Sequence, residues 1–363
     1  MKISILSMQR VVNYGSVLQA WSLRQLLQEY TAQPVTFLDI QEQNSIPVER
    51  NLDEKAEYAV KADYPAGILQ KGKRRVITKL SAYNKKLICR FMRHRLHLDR
   101  LKPDPHPDVV VIGSDEVFNH AKGVNLQLHG DVQADKIFTY AASCGSACVA
   151  QIPEEYREKV QQAMAHFSAV SVRDAATETY ARQLYNGDIL YHLDPVLTGP
   201  LYQRQHKKVP LKKYLLVYAY GQRIRTKEEI SAIEEFAHSR GLKTVAMGGS
   251  QFWCDLYIPA DPFRLLDYFY YADYVVTDTF HGAVFSVLNR RPFGVIVRPS
   301  NENKLTDLLQ RLQLCERRIE NMEALPQVLE TPVDYEKTEA LLRQHRESTR
   351  NYLRQQLGVD YGK

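Results

Sequence analysis

No apolar run in this sequence approaches the roughly 18–20 residues that cross a bilayer. The opening MKISILSMQRVVNYG holds only a short apolar stretch before polar residues intervene, and reads as a first core strand rather than a signal peptide. Cysteine is scarce and scattered, at Cys89, Cys144, Cys148, Cys254 and Cys315. Cys144 and Cys148 have no second pair and no histidine set beside them, so neither a disulfide framework nor a zinc site is expected. Free thiols point to a reducing compartment, with the cytoplasm as the default. Charge of one sign is not abundant either. Against 42 acids stand 48 Lys and Arg, a net charge of +6. That balance fits a small anionic ligand or an anionic membrane surface and gives little support to nucleic acid binding. No internal repeat and no low-complexity tract is present.

What is present suffices for two domains. The chain has 363 residues, of which 44% are hydrophobic. Lys2–Ser7 reads as a strand, the stretch 17–30 as a helix and Val35–Ile40 as a strand. VVVIGSD (109–115), IFTYAASCG (137–145) and AVSVRD (169–174) each run apolar into a polar end. Apolar runs without alternation, separated by helical stretches, argue for parallel sheet covered on both faces. A second series begins at YLLVYAYG (214–221). It continues through helix 227–240, strand 242–249, helix 262–271, strand 274–277, helix 282–289 and strand 292–297. Residues 195–213, with Pro195, Gly199, Pro200 and Pro210, form the best hinge. The expected class is α/β, with two Rossmann-like doubly wound domains facing a cleft. They span 1–198 and 199–333, and a last helix in 334–363 is a candidate to pack back on the first domain.

Segment 71–100 carries eleven Lys or Arg against one acid, Asp99. Val76, Leu80, Tyr83, Leu87 and Phe91 recur through it at helical spacing. It is either a basic-faced helix packed on the first domain or a contact surface for anionic lipid headgroups or a lipid-linked pyrophosphate.

The polar clusters fall at carboxyl ends of expected strands, where open α/β sheets bind ligands. NYGSVLQA (13–20) offers Asn13, Tyr14 and Gln19 for sugar hydroxyls and Gly15 for close backbone approach, or else it is an ordinary helix cap. In GSDEVFN (113–119), Ser114 and Asp115 are a cap and a dipole complement, or Asp115 orients a hydroxyl, with Asn119 nearby. Arg173 in VSVRD is a surface ion pair or a fork for a carboxylate or phosphate. HLDPVL (192–197) reads as structural, a chain leaving the sheet. In TDTFHGAVFS (277–286), His281 lies between Asp278 and Gly282 at the mouth of a helix and is placed to exchange protons near neutrality. Arg298 and Lys304 add positive charge on the same side or are simply solvated.

In this order, NYGSVLQA, VVVIGSDEVFN, TYAASCG, VSVRD, HLDP and VVTDTFHGAVFS resemble the polysaccharide pyruvyl transferase family over roughly residues 1–315. The resemblance implies a fold similar to the GT-B glycosyltransferases. It implies transfer of the pyruvyl group of phosphoenolpyruvate, as a ketal, onto a sugar of a cell-surface polysaccharide or its lipid-linked precursor. It assigns phosphoenolpyruvate binding to Arg173 and acid/base work to His281; the chemistry of ketal formation leaves Asp115 or Asp278 to orient the hydroxyls. No metal or redox cofactor is implied, and a peripheral position on the inner membrane face is. Some relatives carry an arginine two residues before the histidine, where this chain has Thr279. Donor phosphate then falls to Arg298, Lys304 or the backbone N–H groups of Thr279–Gly282. Two rival readings share the architecture: a nucleotide-sugar glycosyltransferase and a non-catalytic glycan or lipid-carrier binding protein.

Overall fold

The apolar runs assemble into two parallel sheets in the computed structural model, which describes residues 1–41, 45–48, 68–99, 106–120, 123–221 and 223–359. The first half of the chain supplies β1 (Ile3–Leu6), β2 (Thr36–Phe37), β3 (Ser45–Ile46), β4 (Val109–Asp115), β5 (Val124–Asn125), β6 (Lys136–Ala142), β7 (Phe167–Val172) and β8 (Ile189–Tyr191). Six of these form one all-parallel sheet in the order β2-β1-β4-β6-β7-β8, while β3 and β5 pair antiparallel beside it. The second half supplies β9 (Tyr214–Ala219), β10 (Lys243–Gly248), β11 (Leu256–Tyr257), β12 (Tyr274–Thr277) and β13 (Phe293–Val295), parallel in the order β11-β10-β9-β12-β13. Both orders reverse direction once, between β1 and β4 and between β9 and β12. This is the doubly wound arrangement, with its ligand crevice at the reversal. The chain is α/β with two Rossmann-like domains.

Strand composition explains the layering. Successive side chains of a strand point to opposite faces, so a strand covered on both sides must be apolar throughout. In β4, Val109 and Val111 enter one core and Val110 and Ile112 another; all four are buried. In β9, Leu216 joins the first of these cores while Leu215 and Val217 enter a third. The first core is continuous through both domains.

Helices cover the faces: α1 (Tyr14–Gln28), α2 (Ile68–Phe91), α3 (Glu154–Met164), α4 (Ala175–Arg182) and the single turn α5 (Pro195–Thr198) in the first half, then α6 (Lys227–Ser239), α7 (Pro262–Tyr271), α8 (Phe280–Leu288), α9 (Glu302–Arg311), α10 (Leu325–Glu330) and α11 (Tyr335–Leu357). The expected hinge 195–213 begins with α5, which is fully buried, and the Arg346 guanidinium of α11 donates to its Leu197 carbonyl at 3.0 Å. Farther along α11, Tyr352 donates to the Thr139 carbonyl of β6 at 2.7 Å and Thr349 lies 3.1 Å from the Tyr140 hydroxyl. The last helix thus lies against the first sheet.

The face of α2 differs from the one its spacing predicts. Ile77, Asn84, Ile88 and Phe91 are buried, Leu80 and Leu87 are half-buried, and Val76 and Tyr83 are 57% and 53% exposed. The buried stripe is offset by one residue because Asn84 turns inward. Its Oδ1 accepts from the Ala260 amide at 3.0 Å and lies 2.5 Å from the Tyr14 hydroxyl. No helix among the described residues is long and apolar enough to cross a membrane.

Candidate active site

Each group of the site is delivered by a strand end. After β1, Asn13 caps α1, its Oδ1 accepting from the Ser16 amide at 2.7 Å. After β4, Asp115 takes a positive φ of 78°, a conformation that costs a non-glycine residue roughly 1–2 kcal/mol. Its Oδ2 accepts from the Ser16 hydroxyl at 2.6 Å, so the two arms of the first reversal are tied together. Arg173 follows β7, Asp194 follows β8, and His281 sits in the first turn of α8 after β12.

Three of these groups converge. Asp194 is fully buried; its Oδ2 lies 2.9 Å from the Arg173 guanidinium and 3.4 Å from the His281 imidazole Nε2. Burial alone would raise this carboxyl, but His281 and Arg173 together hold it below the ordinary carboxylate value. The other oxygen of Asp194 accepts from the Val196 amide at 3.0 Å and starts α5. One carboxylate therefore joins a residue of each domain. Arg173 also stacks over the Phe280 ring at 4.2 Å. The far side of the imidazole rests on Gly15: a Cβ there would overlap the ring at Nδ1.

Two cavities meet at His281. A small one of about 120 Å³ is lined by Asp115, Glu116, Arg173, Tyr220, His281 and Lys304, among others. Lys304 of the second domain is ion-paired with Glu116 of the first, and Asn119 holds the other Glu116 oxygen at 2.9 Å. Lys304 pushes the Glu116 carboxyl down to about 2 against the opposing effect of burial. A larger cavity of about 590 Å³ is bordered by Asn13, Lys85, Tyr220, Ser250, Phe252 and His281, among others. Asn13, Tyr220 and His281 border both.

Of the residues singled out from the sequence, Asn13, Asp115, Arg173, His281 and Lys304 are brought together on the small cavity, and Tyr14, Gly15 and Thr279 on the large one. Others lie elsewhere. Gln19 is buried, with its amide donating to Ser7 Oγ and the Ser16 carbonyl. Ser114 is buried and donates to the Ala141 carbonyl. The Tyr14 hydroxyl is engaged with Asn84 and with the Ala260 carbonyl at 2.7 Å, joining the domains instead of facing a sugar. Asn119 reaches the site only through Glu116. Asp278 is buried and borders neither cavity. Burial pushes its carboxyl up to about 6, with Arg223 and Arg298 pulling the other way. Arg298 pairs with Glu229 at 2.6 Å and lies 3.7 Å from Asp278, which takes it out of the cleft lining. The Thr279 and Gly282 amides donate to Thr277 Oγ1 and Thr279 Oγ1, so neither is open to a phosphate.

Asp194 and Glu116 were missed. Asp194-Pro195 gives the local signal of a helix start, which it is, and only the tertiary fold reveals the second role of its carboxylate. Among the described residues no group of three or more His, Cys, Asp and Glu is arranged to hold a metal ion.

Solved structures similar to this chain include three at 12–13% identity. A Staphylococcus aureus MnaA–UDP co-structure has a TM-score of 0.49 at 13% identity, covering 100% of this chain and 99% of that one. A UDP-GlcNAc 2-epimerase of Methanocaldococcus jannaschii, solved with UDP-GlcNAc and UDP, gives 0.48 at 12%, covering 96% and 99%. The glycosyltransferase SnogD of Streptomyces nogalater gives 0.48 at 12%, covering 98% and 99%. No curated protein matches the sequence. The family model described as polysaccharide pyruvyl transferase matches residues 13–300, and with most of its length inside that match the chain belongs to the polysaccharide pyruvyl transferase family.

Proposed function

We propose that the protein moves the pyruvyl group of phosphoenolpyruvate onto two hydroxyls of a glycan sugar, forming a ketal and releasing phosphate. The observation that carries this reading is the position of His281 on the shared wall of a small cavity that holds Arg173 and Lys304 beside Asp115 and Glu116 and a larger one lined by aromatic and polar side chains. About 120 Å³ is well below the roughly 300–1,000 Å³ of sites for drug-sized ligands. It suits a three-carbon phosphorylated acid better than a nucleotide sugar. Arg173 and Lys304 supply the positive charge such an acid needs. The larger cavity, with Asn13, Lys85 and Ser250 beside Tyr220 and Phe252, suits a sugar.

The residues then divide the work. The His281 imidazolium gives a proton to the methylene carbon of phosphoenolpyruvate. The double-bond electrons form the new C–H bond and leave a cationic C2. One sugar hydroxyl bonds C2 and returns its proton to the neutral imidazole. The second hydroxyl bonds the same carbon as the C–O bond to phosphate breaks, and its proton leaves with the phosphate. Asp194, 3.4 Å from Nε2, orients the imidazole. Asp115 and Glu116 line the small cavity with His281, where either carboxylate can orient a hydroxyl that reaches C2.

Phosphate release and mass gain, read together on a panel of glycan acceptors supplied with phosphoenolpyruvate, test the reading. Replacing His281 by Ala is expected to lower kcat by about 10²–10⁴-fold with donor binding retained. Arg173→Lys, which keeps the charge but not the fork, is expected to weaken donor binding. Hexose transfer from a nucleotide sugar, or full turnover by the His281 variant, overturns it.

A further inference from the structure

We propose that the outward face of α2 docks on an anionic phospholipid bilayer. Lys71, Arg75, Lys79, Lys86, Arg90 and Arg93 are all exposed, and Asp99 is the sole acid between 71 and 100. At 100° per residue, Lys71, Arg75, Lys79, Lys86 and Arg90 fall on one strip of the helix, opposite the buried Ile77, Asn84 and Phe91. Val76 and Tyr83, one heptad apart, border the same strip and are more than half exposed. A basic strip edged by an aliphatic and an aromatic side chain is what a headgroup interface receives: cations meet lipid phosphates while apolar atoms enter the acyl boundary. A nucleic acid backbone answers the cations and leaves Val76 without a partner.

The helix is also rigidly placed. Asn84 fixes it to Tyr14 of the first domain and Ala260 of the second. Between the basic strip and the buried stripe, Thr78, Ser81 and Lys85 border the larger cavity. The membrane-facing surface and the cavity wall are therefore two sides of one element. On the function proposed above, on which this last step rests, a glycan carried by a lipid reaches His281 while its tail stays in the bilayer.

The test is co-sedimentation of the full chain with phosphatidylcholine vesicles, with and without phosphatidylglycerol. Binding is expected only with the anionic lipid, and it weakens as salt rises. The variant K79E/K86E/R90E is expected to bind at least tenfold more weakly with an unchanged unfolding midpoint. Val76→Ser with Tyr83→Ser is expected to weaken binding severalfold with the salt slope unchanged. Turnover of a water-soluble acceptor stays at the parent level in all of these variants. Absence of binding to anionic vesicles, or binding indifferent to the triple reversal, overturns the proposal. So does binding of single-stranded RNA at salt where vesicles do not bind, which assigns the face to nucleic acid. A protein that binds vesicles but transfers no pyruvyl group leaves the docking surface standing and removes the catalytic reading.

Discussion

Gly15 and His281 belong to different domains and touch through a glycine that has no room for a methyl group. Gly15→Ala therefore acts on the imidazole before it acts on the helix, where alanine is intrinsically favoured by roughly 0.5–1 kcal/mol. The expected result is a fall in kcat of about 10²-fold, the cost of a displacement near 1 Å, with an overpacking cost of about 1–3 kcal/mol partly offset by that helical preference. Steady-state phosphate release and thermal unfolding, measured on the same preparation, check this. Gly72→Ala is the internal control: nothing lies within 4 Å of the added carbon, so only a small gain in stability is expected. The histidine was legible in the sequence because a titratable ring at a strand-to-helix turn is unusual. Asp194 was not, since its neighbours describe a cap completely, and its contact with Arg173 and His281 depends on residues about 21 and 87 positions away.

The elements were legible wherever the pattern was strong. Continuous apolar strands buried on two faces need little else to be recognised, and β4, β9 and β12 lie where their runs do. Element starts were harder. The apolar repeat of α1 begins at Val17, but its cap is Asn13, so the helix starts a turn before the apolar spacing does, on residues of which only Tyr14 is a large hydrophobe. In α2 a single inward asparagine shifted the buried stripe, which no hydrophobic count anticipates. At the turn into α8, Gly282 packs where a Cβ would overlap Thr277 Oγ1, and Thr279 caps the helix by accepting the Gly282 amide on its Oγ1. Gly282→Ala is expected to cost about 1–3 kcal/mol from overpacking, read in urea unfolding, with turnover lost alongside because His281 precedes it by one residue. A variant of parent stability contradicts this account of the turn.

At the scale of the whole molecule, the ion pair of Glu116 with Lys304 ties the two domains across the small cavity. The folded carboxyl lies at about 2 and its ordinary value is 4.5, so the unfolded chain binds the proton first as pH falls. The stabilisation is complete above about 4.5 and is lost as pH drops through about 2. Glu116→Gln is expected to lower stability by about 1–3 kcal/mol near neutrality, with the gap to the parent narrowing from pH 5 to pH 3 in thermal unfolding. A gap independent of pH assigns the loss to packing instead.

Helix α11 follows the second domain in the chain yet buries Leu342, Tyr352, Leu353 and Leu357 in the core that holds Ile3, Val109 and Phe138 of the first. During synthesis the amino-terminal sheet emerges long before its cover exists. The flank that α11 covers therefore stays open until residue 357 has left the ribosome. The domain that is made first has its core completed last.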